Sequence, residues 1–210
     1  SGAITDGGGE ALFTLVRPGI ILYGYNPSPE TLSPLPVRPV MTLSTSIVSL
    51  RRLPAGEPVS YGRRYRTPRE TTIATIPIGY ADGLRRGLTG KARARIRNEY
   101  YPIVGTICMD QCMIDIGEAN FPVGEPVYLF GGNIHARASA NISTNIPANV
   151  ARENFAQETV GIDANEWAQA LETIPYEILT GITAHTTTTT NSKEQNCIEV
   201  TAKSQITPRL

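Results

Sequence analysis

The sequence predicts a mainly β protein with one short helix near its C-terminal end, and three observations carry that prediction. Nineteen glycines and sixteen prolines punctuate short apolar runs, the texture of many short strands joined by tight turns. Several of those runs alternate with a period of two, whereas helical spacing follows only Asp163. At 210 residues the chain is long enough for one large domain, or two small ones, with a real core.

The candidate strands are 39–50, 72–79, 101–116 and 126–130. In the second, Ile76, Ile78 and Tyr80 share a face. In the third, Ile103, Ile107, Met109 and Met113 fall on one side and Cys108, Cys112 and Ile114 on the other, so this strand is expected to be central. Residues 51–58 read as a connection turning through Pro54, Gly56 and Pro58. The stretch 133–158, rich in Asn, Ala, Ser and Thr, reads as an irregular insertion. Asp163 and Glu166 have capping-box spacing, and Ala164, Trp167, Ala168 and Leu171 follow on a helical face ending near Glu172. Residues 174–182 read as a last strand. Beyond them, 185–210 is a polar tail with little to bury, expected to be disordered.

Nineteen basic and nineteen acidic side chains leave no net charge, which excludes the electrostatic footprint of a nucleic-acid or anionic-membrane binder. No run of 18 apolar residues offers a spanning helix, and the first residues lack a signal-peptide pattern. Three cysteines, Cys108, Cys112 and Cys197, do not make a disulfide framework, so a reducing, cytoplasmic setting is expected. Lysine occurs only at 91, 193 and 203.

Three stretches could carry chemistry. Arg17-Pro18-Gly19-Ile20 combines a helix-starting proline with a glycine that lets a ligand approach the backbone, so its N–H groups could hold a phosphate. Locally an ordinary strand-turn-strand junction fits it better. Ile78-Gly79-Tyr80-Ala81-Asp82-Gly83 sets a phenol at a strand end, as a rim residue or a catalyst. Cys108-Met109-Asp110-Gln111-Cys112 invites a metal, but two cysteines without a second ligand pair do not build a zinc site. No metal is expected.

Taken together, these stretches change the reading. Val16-Arg17-Pro18-Gly19-Ile20, Val59-Ser60-Tyr61-Gly62, Ile78-Gly79-Tyr80-Ala81-Asp82-Gly83 and Val104-Gly105-Thr106-Ile107-Cys108-Met109-Asp110-Gln111 resemble the C-terminal part of the alanine racemases. Pro175-Tyr176-Glu177-Ile178 is similar to that family's closing segment. The resemblance covers roughly 1–132 and 162–182. It implies a C-terminal β-barrel or sheet domain over 16–184, with 1–15 as the end of a (β/α) barrel otherwise missing from this chain. That barrel carries pyridoxal 5'-phosphate on a lysine, and Lys91, Lys193 and Lys203 stand in no matching context. The resemblance also implies a homodimer in which each C-terminal domain completes the partner's site, and alanine as substrate, with D-alanine serving cell-wall peptidoglycan.

On that resemblance Tyr80 is the catalytic base, Arg17 faces the pyridine nitrogen, Gly19 and Ile20 give backbone N–H groups to the phosphate, and Ser1 gives its hydroxyl. Met109 offers its N–H to the substrate carboxylate. An ordinary phenol has a pKa of about 10, so a tyrosine acting as a base needs neighbouring cations, which the family keeps in its barrel. The chain departs from the family at Thr180-Gly181-Ile182-Thr183-Ala184-His185, where a cysteine and an arginine-valine-proline run are usual and some members place a tyrosine at Ala184. Two other readings stay open, a serine or broad-specificity racemase and a non-catalytic β association module.

Overall fold

Most strands form where apolar residues alternate, and the departures come where the chain must turn. The computed structural model describes residues 14–28, 30, 35, 37–131, 162–182, 186–190 and 198–202. It divides into two compact units, 1–41 with 133–160, and 42–132 with 161–210. Residues 1–13 and the irregular insertion expected at 133–158 lie outside the described residues.

In the first unit, Pro18 (φ −65°, ψ −28°) leads into a 3-10 turn, Gly19–Tyr23. Its fixed φ suits the entry to a helical turn. Gly24 closes the turn in the left-handed region (φ 81°), where a β-carbon would lie 1.7 Å from Arg38 O. Only glycine allows that approach. Val40 N–H donates to Tyr23 O at 3.2 Å, and the Asn26 side chain bridges both main-chain groups of Leu35.

The described strands are β1 (Met41–Ser46), β2 (Ser49–Leu53), β3 (Pro58–Val59), β4 (Tyr65–Arg66), β5 (Thr71–Ile76), β6 (Arg93–Ile96), β7 (Glu99–Val104), β8 (Cys112–Gly117), β9 (Pro126–Phe130), β10 (Thr186–Thr190) and β11 (Ile198–Ala202). Nine form one sheet in the order β10-β11-β1-β9-β6-β7-β8-β5-β2, and β3 pairs with β4. The mainly β class expected from the sequence holds. β1 runs antiparallel to β9 and β2 antiparallel to β5. At the junction Ile47 N–H donates to Glu125 O at 3.0 Å and Val48 N–H to Thr75 O at 2.9 Å. Adjacent residues thus pass the chain from one neighbour to another, and the sheet curls back on itself at this bend, with Ile47 fully buried.

Four expectations need correction. The strand 39–50 is two strands, β1 and the start of β2. The strand 101–116 is β7 and β8 joined by a loop at 105–111, opened by Gly105 at φ 69°. Cys108 and Met109 therefore sit in that loop instead of on opposite faces of a strand. Residues 174–182 form a helix, α2 (Pro175–Thr180), with proline in its first turn and Ile178 and Leu179 buried. Within the tail, β10 and β11 pair antiparallel.

The helix α1 (Ala164–Ala170) starts where expected, but Asp163 Oδ1 accepts from Asn165 N–H at 3.0 Å and no capping box closes. Glu166 instead meets Arg93 of β6 through two hydrogen bonds, at 2.9 and 2.8 Å. Trp167 packs edge-on against Phe130, with ring centroids 5.2 Å apart. These contacts fasten α1 to the sheet through both its polar and its apolar face.

Asp115 on β8 ties three segments together. It accepts from Tyr65 Oη at 2.5 Å, from Thr71 Oγ1, and from Gly117 N–H at 2.9 Å. Burial pushes its carboxyl up, but those hydrogen bonds and the nearby Arg69 charge outweigh burial and hold it below its usual range. Burial, reinforced by the hydrogen bond and charge of Asp115, pushes the Tyr65 phenol up to about 12. The depressed carboxyl adds stability above the ordinary carboxylate value of about 3.9, lost as pH falls through its folded value. The raised phenol adds stability below about pH 10, lost as pH climbs toward 12. The melting temperature should therefore fall at both extremes. Asp115→Asn should destabilise by about 1–3 kcal/mol at neutral pH and flatten the acid limb. Thermal unfolding across the pH range checks both.

Candidate functional site

The end of β5 and the loop between β7 and β8 build one site in the second unit. Ile76 and Ile78 are fully buried, which fixes the direction in which the chain leaves the strand. Gly79 follows in extended conformation (φ −147°, ψ −160°). A β-carbon there would lie 2.3 Å from Cys108 O and 2.4 Å from Met109 O, so the two backbones touch. Tyr80–Asp82 then forms a single 3-10 turn.

Two hydrogen bonds clasp that turn to the loop, Tyr80 N–H to Cys108 O at 3.0 Å and Ala81 N–H to Met109 O at 2.8 Å. Asp82 Oδ2 accepts from Gly79 N–H at 2.9 Å, and Asp82 N–H returns to Gly79 O at 3.1 Å. Gly83 ends the turn at φ 106°, and a β-carbon there would lie 2.6 Å from Gly181 O, just past α2. The turn is thus held at both ends by backbone contact that only glycine permits. Its side chain is not: Tyr80 is 42% exposed and Met109 58% exposed.

The sequence placed Tyr80 and Met109 in separate motifs, and the fold brings them together. The expected shared face of Ile76, Ile78 and Tyr80 breaks, because the strand ends at Ile76 and Tyr80 opens a 3-10 turn, exposed where the isoleucines are buried. Asp82 was not singled out from the sequence, although a carboxylate three residues after Gly79 was the signal for its return bond. The loop's carbonyl acceptors had no sequence signal, since strand and loop share the same apolar pattern. Neither cysteine is placed as a nucleophile. Cys112 is fully buried, and burial, with the neighbouring Cys108 adding, drives its thiol far up.

The other predicted positions lie in the first unit. Arg17 and Gly19 are exposed, and Ile20 is buried at 1%. Gly19 has φ 62° and opens the 3-10 turn, whose first N–H groups have no acceptor within the turn. An exposed glycine backbone beside an exposed guanidinium suits a phosphate-bearing heteroaromatic group, so these residues fit the cofactor expected of them. The Ile20 side chain can contribute only to packing, and its carbonyl already accepts from Tyr25 N–H at 3.4 Å. Ser1 lies outside the described residues. Among the described residues no helix is long and apolar enough to cross a membrane.

Residues 40–156 match the family model described as alanine racemase, C-terminal domain. The alanine racemase of Clostridium novyi (strain NT) is 43% identical over 173 residues, covering 81% of this chain and 38% of that protein. The chain therefore spans about two-fifths of the length of the curated relatives it matches. The solved alanine racemase of Streptomyces coelicolor A3(2) superposes with a TM-score of 0.65 at 37% identity, covering 81% of this chain and 39% of that one. The alanine racemase of Bartonella henselae, solved with covalently bound pyridoxal phosphate, superposes at 0.51 with 25% identity, over 75% and 34%.

Gly79→Ala tests the clasp. Its methyl group would press on two backbone carbonyls of the loop, so stability should drop by about 1–3 kcal/mol, the usual range for overpacking. Chemical denaturation measures the loss. The near-ultraviolet dichroism of the tyrosines should change with it.

Proposed function

The chain belongs to the alanine racemase C-terminal-domain family, and from that premise we propose that it is the part of a pyridoxal-phosphate-dependent alanine racemase that delivers Tyr80 as a base. One observation supports this most strongly. A half-exposed phenol stands on a backbone pinned by two hydrogen bonds to the loop that presents Met109. A proton-transfer group needs that combination, a reachable oxygen on a main chain that does not wander.

Pyridoxal phosphate, when bound, withdraws electrons from the amino acid's α-carbon and so acidifies its α-proton. Interconverting L- and D-alanine removes that proton from one face and returns one to the other. Tyr80 Oη takes or gives the proton on one face, reaching across a subunit boundary in a homodimer. A lysine supplied outside this chain serves the other face. Lys91 is engaged elsewhere, its Nζ donating to Ala170 O at 2.8 Å. Met109, which lies outside the β8 ladder, gives its N–H to the substrate carboxylate.

Arg17 faces the ring nitrogen. A guanidinium is always charged and disfavours a second positive charge beside it, which favours prompt return of the proton over side reactions. Gly19 and Ile20 hold the phosphate through their main chain, and Ser1 adds its hydroxyl. The reaction runs in the cytoplasm, and its product, D-alanine, goes to cell-wall peptidoglycan.

In the cofactor-loaded racemase that contains this chain, Tyr80→Phe should lower kcat for alanine by about 100-fold to 10,000-fold, with a smaller change in KM. D-alanine formation measures it, and a variant keeping more than a tenth of the parent rate would overturn the assignment. The 210-residue chain by itself should show no racemisation and no absorbance band of a lysine-bound cofactor. Either signal in the purified chain would contradict the division of labour proposed.

A further inference from the structure

Ser60 holds a backbone conformation that side chains avoid. Its φ of 66° with ψ of −177° belongs to a region populated almost entirely by glycine. Strain of this kind persists only where the surroundings impose it. A glycine would sit there without strain, so the serine is retained at a cost that its side chain must offset.

The side chain has a defined task. Ser60 Oγ donates to Thr106 O at 2.6 Å and lies 3.6 Å from Cys108 Sγ. Thr106 Oγ1 returns a hydrogen bond to Tyr61 O at 2.8 Å. The two segments pass in contact, since a β-carbon on Gly105 would lie 2.7 Å from Ser60 Cβ and 2.8 Å from Val59 O. Two residues beyond Thr106, Cys108 O accepts Tyr80 N–H, and Met109 O accepts Ala81 N–H. A continuous path of short contacts therefore runs from the Ser60 hydroxyl to the main chain of Tyr80.

We propose that Ser60 is a positioning residue for the reaction. Its hydroxyl clamps the loop at 105–111, and the loop in turn fixes the place from which Tyr80 and Met109 are presented. The functional half of this proposal rests on the assignment of Tyr80 as a base; the clamp itself does not. The strain supports the same view, because Arg63 in the same segment also carries positive φ, 49°.

Two substitutions separate the hydroxyl from the strain. Ser60→Ala removes the hydroxyl and keeps the strain, whereas Ser60→Gly removes both. In the 210-residue chain, amide hydrogen exchange at Tyr80 and Ala81 should speed up about tenfold in both variants, the loss of one part-buried hydrogen bond. Amides of β5 and β8 should keep the parent rates. In the cofactor-loaded racemase containing the chain, kcat should fall about tenfold in both, although Ser60→Gly melts within a few degrees of the parent. A residue that served only the fold would let Ser60→Gly keep full turnover, and that result overturns the proposal. So does unchanged exchange at Tyr80 and Ala81. Faster exchange with undiminished kcat also overturns it where Tyr80→Phe abolishes activity. Where Tyr80→Phe leaves activity intact, the clamp stands and the assignment of Tyr80 falls instead.

Discussion

Two backbone hydrogen bonds, from Tyr80 and Ala81 to the carbonyls of Cys108 and Met109, join the end of β5 to the loop between β7 and β8. Each such bond contributes only about 1 kcal/mol net. Their weight comes from what they connect. The donors lie just past a strand whose last residue, Ile76, is fully buried, and the acceptors lie in a loop also held by Ser60 and Thr89. Gly79 makes the arrangement possible, because any β-carbon would occupy the space the carbonyls use. Without that contact the phenol and the loop would share a neighbourhood but no fixed geometry.

The sheet explains why these two loops meet at all. β5 pairs with β8 in a register that sets Ile76 opposite Cys112, so the end of one strand faces the start of the other. The turn after Ile76 and the loop before Cys112 then emerge at the same end of the sheet. The bend at Ile47–Val48 shapes the same framework by giving β5 and β9 a shared neighbour in one continuous segment. Framework and site divide the labour accordingly. Buried strands and the Asp115 cluster hold position, while exposed Tyr80 and Met109 face outward from it.

Much of this was legible from residues alone. The strand 126–130 appears with the bounds its alternation suggests, and α1 begins behind Asp163. Other segments misled for physical reasons. In 101–116 both faces are apolar, so period two persists through Gly105–Gln111 although the backbone leaves the sheet there. In 174–182 the branched isoleucines suggested a strand, but Ile174, Ile178 and Ile182 recur every fourth residue behind a proline, which is helical spacing. β6 carries little apolar signal, because its alternation sets arginine against alanine and isoleucine. The fold nevertheless buries Arg95, with its guanidinium over the Tyr128 ring and donating to Arg97 O.

The sequence by itself determined the β-rich class, the family, and the residue types available for chemistry, since those follow from composition, local periodicity and motif order. Only the tertiary structure decided that Cys108 and Met109 lie in a loop, that this loop carries the Tyr80 turn, and that Ser60 reaches it from 46 residues away in the chain. Alternation along a strand is a local property written in neighbouring residues. Strand pairing, by contrast, depends on which distant segments exclude water best together, and no window of sequence contains both partners.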